Sequence, residues 1–221
     1  MTVVYEDNHI IIVNKTASEI VQGDKTGDTP LSESVKQYLK EKYQKPGNVF
    51  IGVVHRLDRP VSGLVLFAKT SKALSRLNEM FKTKEVKKTY WAVVKNRPPQ
   101  EEGTLEHWLV KNEKQNKSYA YDKERPQAKK AILHYRLIAA SDNYNLLEID
   151  LQTGRHHQIR CQLAKMGCPI KGDLKYGFPR SNPDGSICLH ARFIRFIHPV
   201  SKELIEVEAP LPAGNLWGAF K

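Results

Sequence analysis

The segment Val53-Val54-His55-Arg56-Leu57-Asp58-Arg59-Pro60-Val61-Ser62-Gly63-Leu64 sets one carboxylate, Asp58, between two guanidiniums, Arg56 and Arg59. Nearby cations favour the ionised form of a carboxylate, which suits Asp58 to act as a nucleophile or a base. An Arg–Asp ion pair that only closes a turn would have the same spelling. A second polar cluster, Thr153-Gly154-Arg155-His156-His157-Gln158-Ile159-Arg160, falls where a helix begins. Helix starts attract anions, so a phosphate or the Asp58 carboxylate would each suit it.

Other chemistries find less support. Phosphate-loop, dinucleotide-turn and serine-elbow glycine patterns are absent, as is His-Glu-x-x-His. His156 and His157 are adjacent, and on a helix they would splay by about 100°, a poor metal pair. Cys161 and Cys168 lack the tight spacing of a zinc site. No metal site is expected, and a metal-dependent nuclease would need a cluster of acids that the sequence does not assemble.

The elements that must position these residues read as an α+β fold on a mixed, mainly antiparallel sheet with flanking helices. Val3-Val4-Tyr5 and Ile10-Ile11-Ile12-Val13 flank Asp7-Asn8 as a β-hairpin. Thr29-Pro30 reads as a cap and first-turn proline for a helix carrying Leu31, Val35, Tyr38 and Leu39, which Pro46-Gly47 stops. Val49–Val54 and Leu64–Ala68 read as strands on either side of the Asp58 segment. A second helix from Ser71 carries Leu74, Leu77 and Phe81 at helical spacing. Thr89–Lys95, Ala131–Ile138, Ile187–Ile197 and Leu204–Val207 read as strands, and Leu147, Ile149 and Leu151 alternate with polar residues. Ile159, Leu163 and Met166 mark a short helix after Gly154. The basic stretch 111–130 reads as a loop or hairpin, either touching phosphates or forming a solvated edge. Few strands are separated by the helical crossover that a parallel sheet requires.

Composition narrows the partner. Among 221 residues, 35 Lys and Arg oppose 24 Asp and Glu, so the net charge is 35 − 24 = +11. With a sequence pI near 9.5, this suits a polyanion, since cations that neutralise phosphates release condensed counterions. No run approaches the roughly 18–20 apolar residues of a membrane span, and the amino terminus carries Glu6 and Asp7 where a signal peptide would be basic. Three cysteines without a Cys-x-x-Cys pair fit reduced thiols. A cytoplasmic protein is expected, as a single domain over 1–221 with no dividing linker.

His55-Arg56-Leu57-Asp58-Arg59 with Ser62-Gly63-Leu64 resembles the signature segment of the RluA-type RNA pseudouridine synthases. Lys88-Thr89-Tyr90-Trp91-Ala92-Val93-Val94 is similar to the second motif of that family, and Leu151–Arg160 to the third. The likeness continues through Pro169-Ile170, Gly172-Asp173, Tyr176-Gly177, Leu189-His190-Ala191 and His198-Pro199. It departs at Pro60-Val61, where an acid and a threonine are usual, and after Lys15, where a proline and a glycine are usual.

The resemblance implies a pseudouridine synthase catalytic domain without an accessory N-terminal RNA-binding domain, an RNA substrate (ribosomal or transfer RNA) and no cofactor. A monomer with no obligate protein partner is expected. By the same resemblance Asp58 would be the catalytic aspartate, Tyr90 would stack on the target base, and Arg160 would pair with the Asp58 carboxylate. Arg56 would help displace the flipped uridine and Leu189 would wall the base pocket. His55, Arg59, Arg155 and His157 would join them in binding substrate. A catalytically silent RNA-binding protein on the same fold is the alternative, but binding a polyanion alone gives no reason for a carboxylate in the site.

Overall fold

A computed structural model describes residues 1–220 and has the expected α+β architecture. In chain order come β1 (Thr2–Glu6), β2 (Ile10–Lys15), α1 (Leu31–Lys42), β3 (Gly52–Val53), β4 (Ser62–Ala68) and α2 (Ser71–Lys82). Next are β5 (Lys87–Val94), β6 (Glu102–Asn112), β7 (Lys117–Tyr121), β8 (Lys129–Ala140) and β9 (Asn145–Leu151). Last come α3 (Gln158–Lys165), a short 3-10 helix (Leu174–Tyr176), β10 (Leu189–Ile197), β11 (Leu204–Glu208) and α4 (Asn215–Gly218). These form two compact units, Met1–Lys87 with Ala191–Leu211, and Lys88–His190 with the segment from Pro212 onward.

In the first unit the strands lie in the order β1-β2-β4-β10, with β3 on β4 and β11 on β10. The expected hairpin is β1–β2, antiparallel from Thr2 opposite Asn14 to Glu6 opposite Ile11. Ile10, Ile11, Ile12 and Val13 are all fully buried, so β2 is covered on both faces and reads as an unbroken apolar run. Ile10 and Ile12 share a core with Leu64 and Leu66 of β4, Ala73, Leu77 and Met80 of α2, and Ile194 and Phe196 of β10. Burying a side chain of this size contributes roughly 1.5–3 kcal/mol before the ordering entropy is set against it.

Local chemistry explains two departures here from the sequence reading. Helix α1 is capped at Pro30, not Thr29, and no side chain accepts its first N–H groups. The backbone N–H groups of Leu31 and Ser32 instead donate to the carbonyls of Ile20 and Val21 at 2.7 and 3.2 Å. The strand expected over Val49–Val54 shrinks to Gly52–Val53, opposite Ala68 and Phe67. At α2 the Thr70 side chain accepts from the Ala73 N–H, an ordinary N-cap.

In the second unit the order is β5-β9-β8-β6-β7, and each strand pair whose register is described runs antiparallel. The basic stretch is largely the β6–β7 hairpin followed by the start of β8, and β6 is a strand the sequence reading missed. Leu109 of β6, Ala131 of β8, Cys161 of α3 and Tyr176 form a buried cluster that seats α3 on the sheet. All three cysteines are buried as free thiols. No helix among the described residues is long and apolar enough to cross a membrane.

One charged knot secures the first unit. The nearly buried Glu6 carboxylate receives Lys42 Nζ at 2.7 Å, Lys69 Nζ at 2.9 Å and the Tyr43 hydroxyl at 2.7 Å. Burial alone would push its pKa up, but these donors outweigh burial and hold it at about 2. A carboxyl depressed in the folded state stabilises above its unfolded pKa and loses that contribution as pH falls. Glu6→Gln is therefore expected to cost on the order of 2 kcal/mol near neutral pH. The gap to wild type should close between the ordinary value of 4.5 and about 2. Denaturant titrations across that range check it, and a gap independent of pH would contradict it.

Candidate active site

Asp58 stands in the connection between β3 and β4, a stretch with no regular structure of its own, so its neighbours must fix its shape. Lys15, at the end of β2, is 1% exposed and donates from Nζ to the carbonyls of Thr16 at 2.9 Å and Arg59 at 3.1 Å. Burial lowers its pKa to about 8 against the opposing pull of Glu19 and Asp58. The Asp58 carbonyl accepts the Val61 N–H at 3.0 Å, closing a tight turn around Arg59-Pro60. Asp58 itself is half-buried and Arg56 is exposed.

His55 and Arg59, expected at the substrate, also make contacts within the protein. His55 Nε2 accepts the Leu66 N–H of β4 at 2.9 Å, and its ring stacks on Phe81 at 5.0 Å. Accepting at Nε2 places the imidazole proton on Nδ1. Arg59 reaches Asp28 at 2.7 Å, Thr26 at 2.9 Å, Asp24 at 3.5 Å and the Ser18 carbonyl at 3.3 Å. These contacts tie the Asp58 loop to β4 through His55 and to residues 18–28 through Arg59.

The loop rejoins β4 at Gly63, opposite Lys15 in the ladder. Gly63 has φ +116°, and a Cβ there would lie 2.4 Å from the backbone N and O of Ala191. No L side chain fits both the angle and the space.

The second unit holds the remaining residues. Tyr90 lies on β5 opposite Ile149 and is buried, as is Leu189 at the start of β10. Lys88, two residues before Tyr90 on the same strand face, has its ammonium pulled down to about 8 by burial. The third motif is a turn stapled to β8. Gln158 Oε1 accepts the Thr153 hydroxyl at 2.7 Å and the Arg155 N–H at 3.0 Å, while Thr153 Oγ1 accepts the Ile132 N–H at 2.9 Å. Arg155 is exposed, with Nε on the Lys130 carbonyl at 3.0 Å. His157 caps α3 in the left-handed conformation, φ +51°.

Arg160, on α3, is 5% exposed and meets Asp173 edge to edge, Nε to Oδ2 at 2.7 Å and Nη2 to Oδ1 at 3.0 Å. Such a bidentate pair fixes the guanidinium plane. Asp173 and Tyr176 fall within the family likeness, but no pattern in the sequence gives either a role. Asp173 lies thirteen positions beyond Arg160, across a turn, so the sequence carries no local sign of the pair.

Comparison with known proteins follows the same residues. Residues 9–165 match the family described as RNA pseudouridylate synthase. A ribosomal large subunit pseudouridine synthase C of Rickettsia prowazekii is 35% identical over 95% of this chain and 67% of its own length. A ribosomal large subunit pseudouridine synthase D of Haemophilus ducreyi is 31% identical over 96% and 68%. An uncharacterized RNA pseudouridine synthase of Synechocystis is 33% identical over 96% and 66%. The chain thus spans about two thirds of the length of these curated relatives. Among solved structures, human RNA Pseudouridylate Synthase Domain Containing 4 has the same fold, with a TM-score of 0.79 at 21% identity, covering 96% of this chain and 88% of that one.

Gly63→Ala tests how the loop is held. It is expected to cost about 3 kcal/mol or more, through strain and displaced backbone. Equilibrium unfolding measures it, and a variant within about 1 kcal/mol of wild type would contradict the close approach.

Proposed function

This chain belongs to the RNA pseudouridine synthase family, a family of isomerases, and we propose that it converts uridine to pseudouridine in structured RNA with Asp58 as its essential carboxylate. The observation that carries the reading is the Asp58 loop. A half-buried acid is held on a turn fixed through Lys15, His55 and Gly63, in a protein of net charge +11 that has every electrostatic reason to omit it. The names of the relatives favour RNA of the large ribosomal subunit, with transfer RNA the other candidate substrate.

The reaction needs little. The C1′–N1 bond breaks, the base turns, C1′ joins C5, and the C5 proton leaves while N1 gains one. Nothing is oxidised and no group is imported, so we propose that no cofactor or metal takes part. Asp58 serves as nucleophile or base. Tyr90 stacks on the target base, Arg160 pairs with the Asp58 carboxylate and Leu189 walls the base pocket. His55, Arg59, Arg155 and His157 contact the RNA. Reaching a stacked base costs a few kcal/mol of unstacking, which Arg56 offsets by filling the gap with its planar cation. We further propose a single catalytic domain acting as a monomer in the cytoplasm.

Asp58→Ala is expected to lower the single-turnover rate by about a thousandfold or more and leave the RNA dissociation constant within about threefold. Turnover at the wild-type rate would remove the catalytic assignment. For Arg56→Ala the expected loss lies in the saturated rate on a folded stem-loop, about tenfold, with affinity and salt slope nearly unchanged. A fall in affinity and a salt slope reduced by about one, at an unchanged saturated rate, would make Arg56 a phosphate anchor instead.

A further inference from the structure

We propose that Tyr176, together with Asp173, is a positioning residue that sets two site groups at once: the plane of the Arg160 guanidinium and the tautomer of His157. The inference rests on the functional reading above for its catalytic consequence, and on geometry for everything else.

Tyr176 lies at the end of the 3-10 helix, 8% exposed. Its hydroxyl accepts the Ser118 N–H of β7 at 2.8 Å and lies 2.8 Å from His157 Nδ1. A tyrosine hydroxyl carries one proton. With an amide already donating to the oxygen, we assign that proton to the lone pair of His157 Nδ1. Burial, reinforced by the charges of Arg160, His156, Lys175 and Lys111, drives the His157 pKa down to about 2, so the ring is neutral. A neutral ring that accepts at Nδ1 carries its proton on Nε2. Tyr176 thereby makes His157 a donor at a fixed position. Burial also pushes the Tyr176 hydroxyl well above its ordinary pKa, so it keeps its proton throughout the physiological range.

The Tyr176 ring also bears on Arg160. The guanidinium carbon sits 5.1 Å from the Tyr176 centroid, within cation–π range. Asp173, 1% exposed, closes the guanidinium edge with the bidentate pair. A fork held at one edge by a carboxylate and beside an aromatic ring has little freedom to rotate.

The hairpin joins the same arrangement. Ser118, which donates its N–H to Tyr176, also donates its hydroxyl to the His156 carbonyl at 2.8 Å. His156 stacks on His157 at 3.7 Å. Tyr176 therefore links β7, the turn before α3 and α3 itself.

Tyr176→Phe keeps the ring and removes only the hydroxyl, which separates positioning from packing. Nitrogen-15 NMR of the imidazoles is expected to show His157 protonated at Nε2 in wild type and to lose that single tautomer in Tyr176→Phe. Single-turnover modification should fall about tenfold with RNA affinity within about twofold. Asp173→Asn should fall further, and its effect should vanish in an Arg160→Lys background, because a residue acting only through another is silent once that other is replaced. A general structural role predicts losses that multiply instead. An unchanged tautomer with a wild-type rate in Tyr176→Phe, or independent effects of Asp173→Asn and Arg160→Lys, would overturn the proposal. If Asp173→Asn does not fold, Tyr176→Phe decides alone. A wild-type protein inert on every RNA would remove the functional reading, while the His157 tautomer and the Arg160 Nε–H resonance would still decide the positioning claim.

Discussion

A buried ammonium organises the first unit. Taking a lysine out of water costs several kcal/mol unless its protons find acceptors. Lys15 meets that demand with the carbonyls of Thr16 and Arg59 and with the charges of Glu19 and Asp58 around it. The chain between β3 and β4 is thereby forced to bring a carbonyl inward to Nζ. That bends residues 55–63 into one conformation, with Asp58 half-buried on it. The remaining constraints are consequences of holding that bend. His55 is turned to the β4 backbone, and position 63 must be glycine so that β4 can lie against Ala191. An irregular loop is costly to order, and here several separate contacts share the task.

The second unit meets the opposite problem, a buried guanidinium, with the opposite partner. Asp173 neutralises Arg160, and the hydrogen bonds between them satisfy both oxygens of the carboxylate. Such a pair contributes little net stability compared with apolar residues of the same size, but breaking it leaves a naked charge inside the protein. Its value lies in orientation. Tyr176 adds the neutral half of the same arrangement by satisfying Ser118 and His157 with one hydroxyl.

Much of this was legible in the sequence, and the reasons differ by element. The β1–β2 hairpin and β9 declare themselves through short-range patterning, and α2 through apolar spacing. Strand β6 did not, because His107 occupies a buried position where an apolar residue would have marked the alternation. Helix α1 was found but its cap was misread, since its first N–H groups are satisfied by Ile20 and Val21 across a loop. In the site, the residue types of the motifs were visible, whereas the partners were not. The engagement of Arg59 by Asp24 and Asp28, and of Arg160 by Asp173, depends on tertiary folding that no local pattern encodes.

The central claim is that this protein breaks and remakes a glycosidic bond with loss of the C5 proton. RNA from cells lacking the gene, labelled with tritium at uridine C5, tests it directly. Purified protein without added metal or cofactor should release tritium to water, mole for mole with the pseudouridine formed, while the RNA stays intact. Binding of that RNA without tritium release, or release without a matching pseudouridine, would contradict the account.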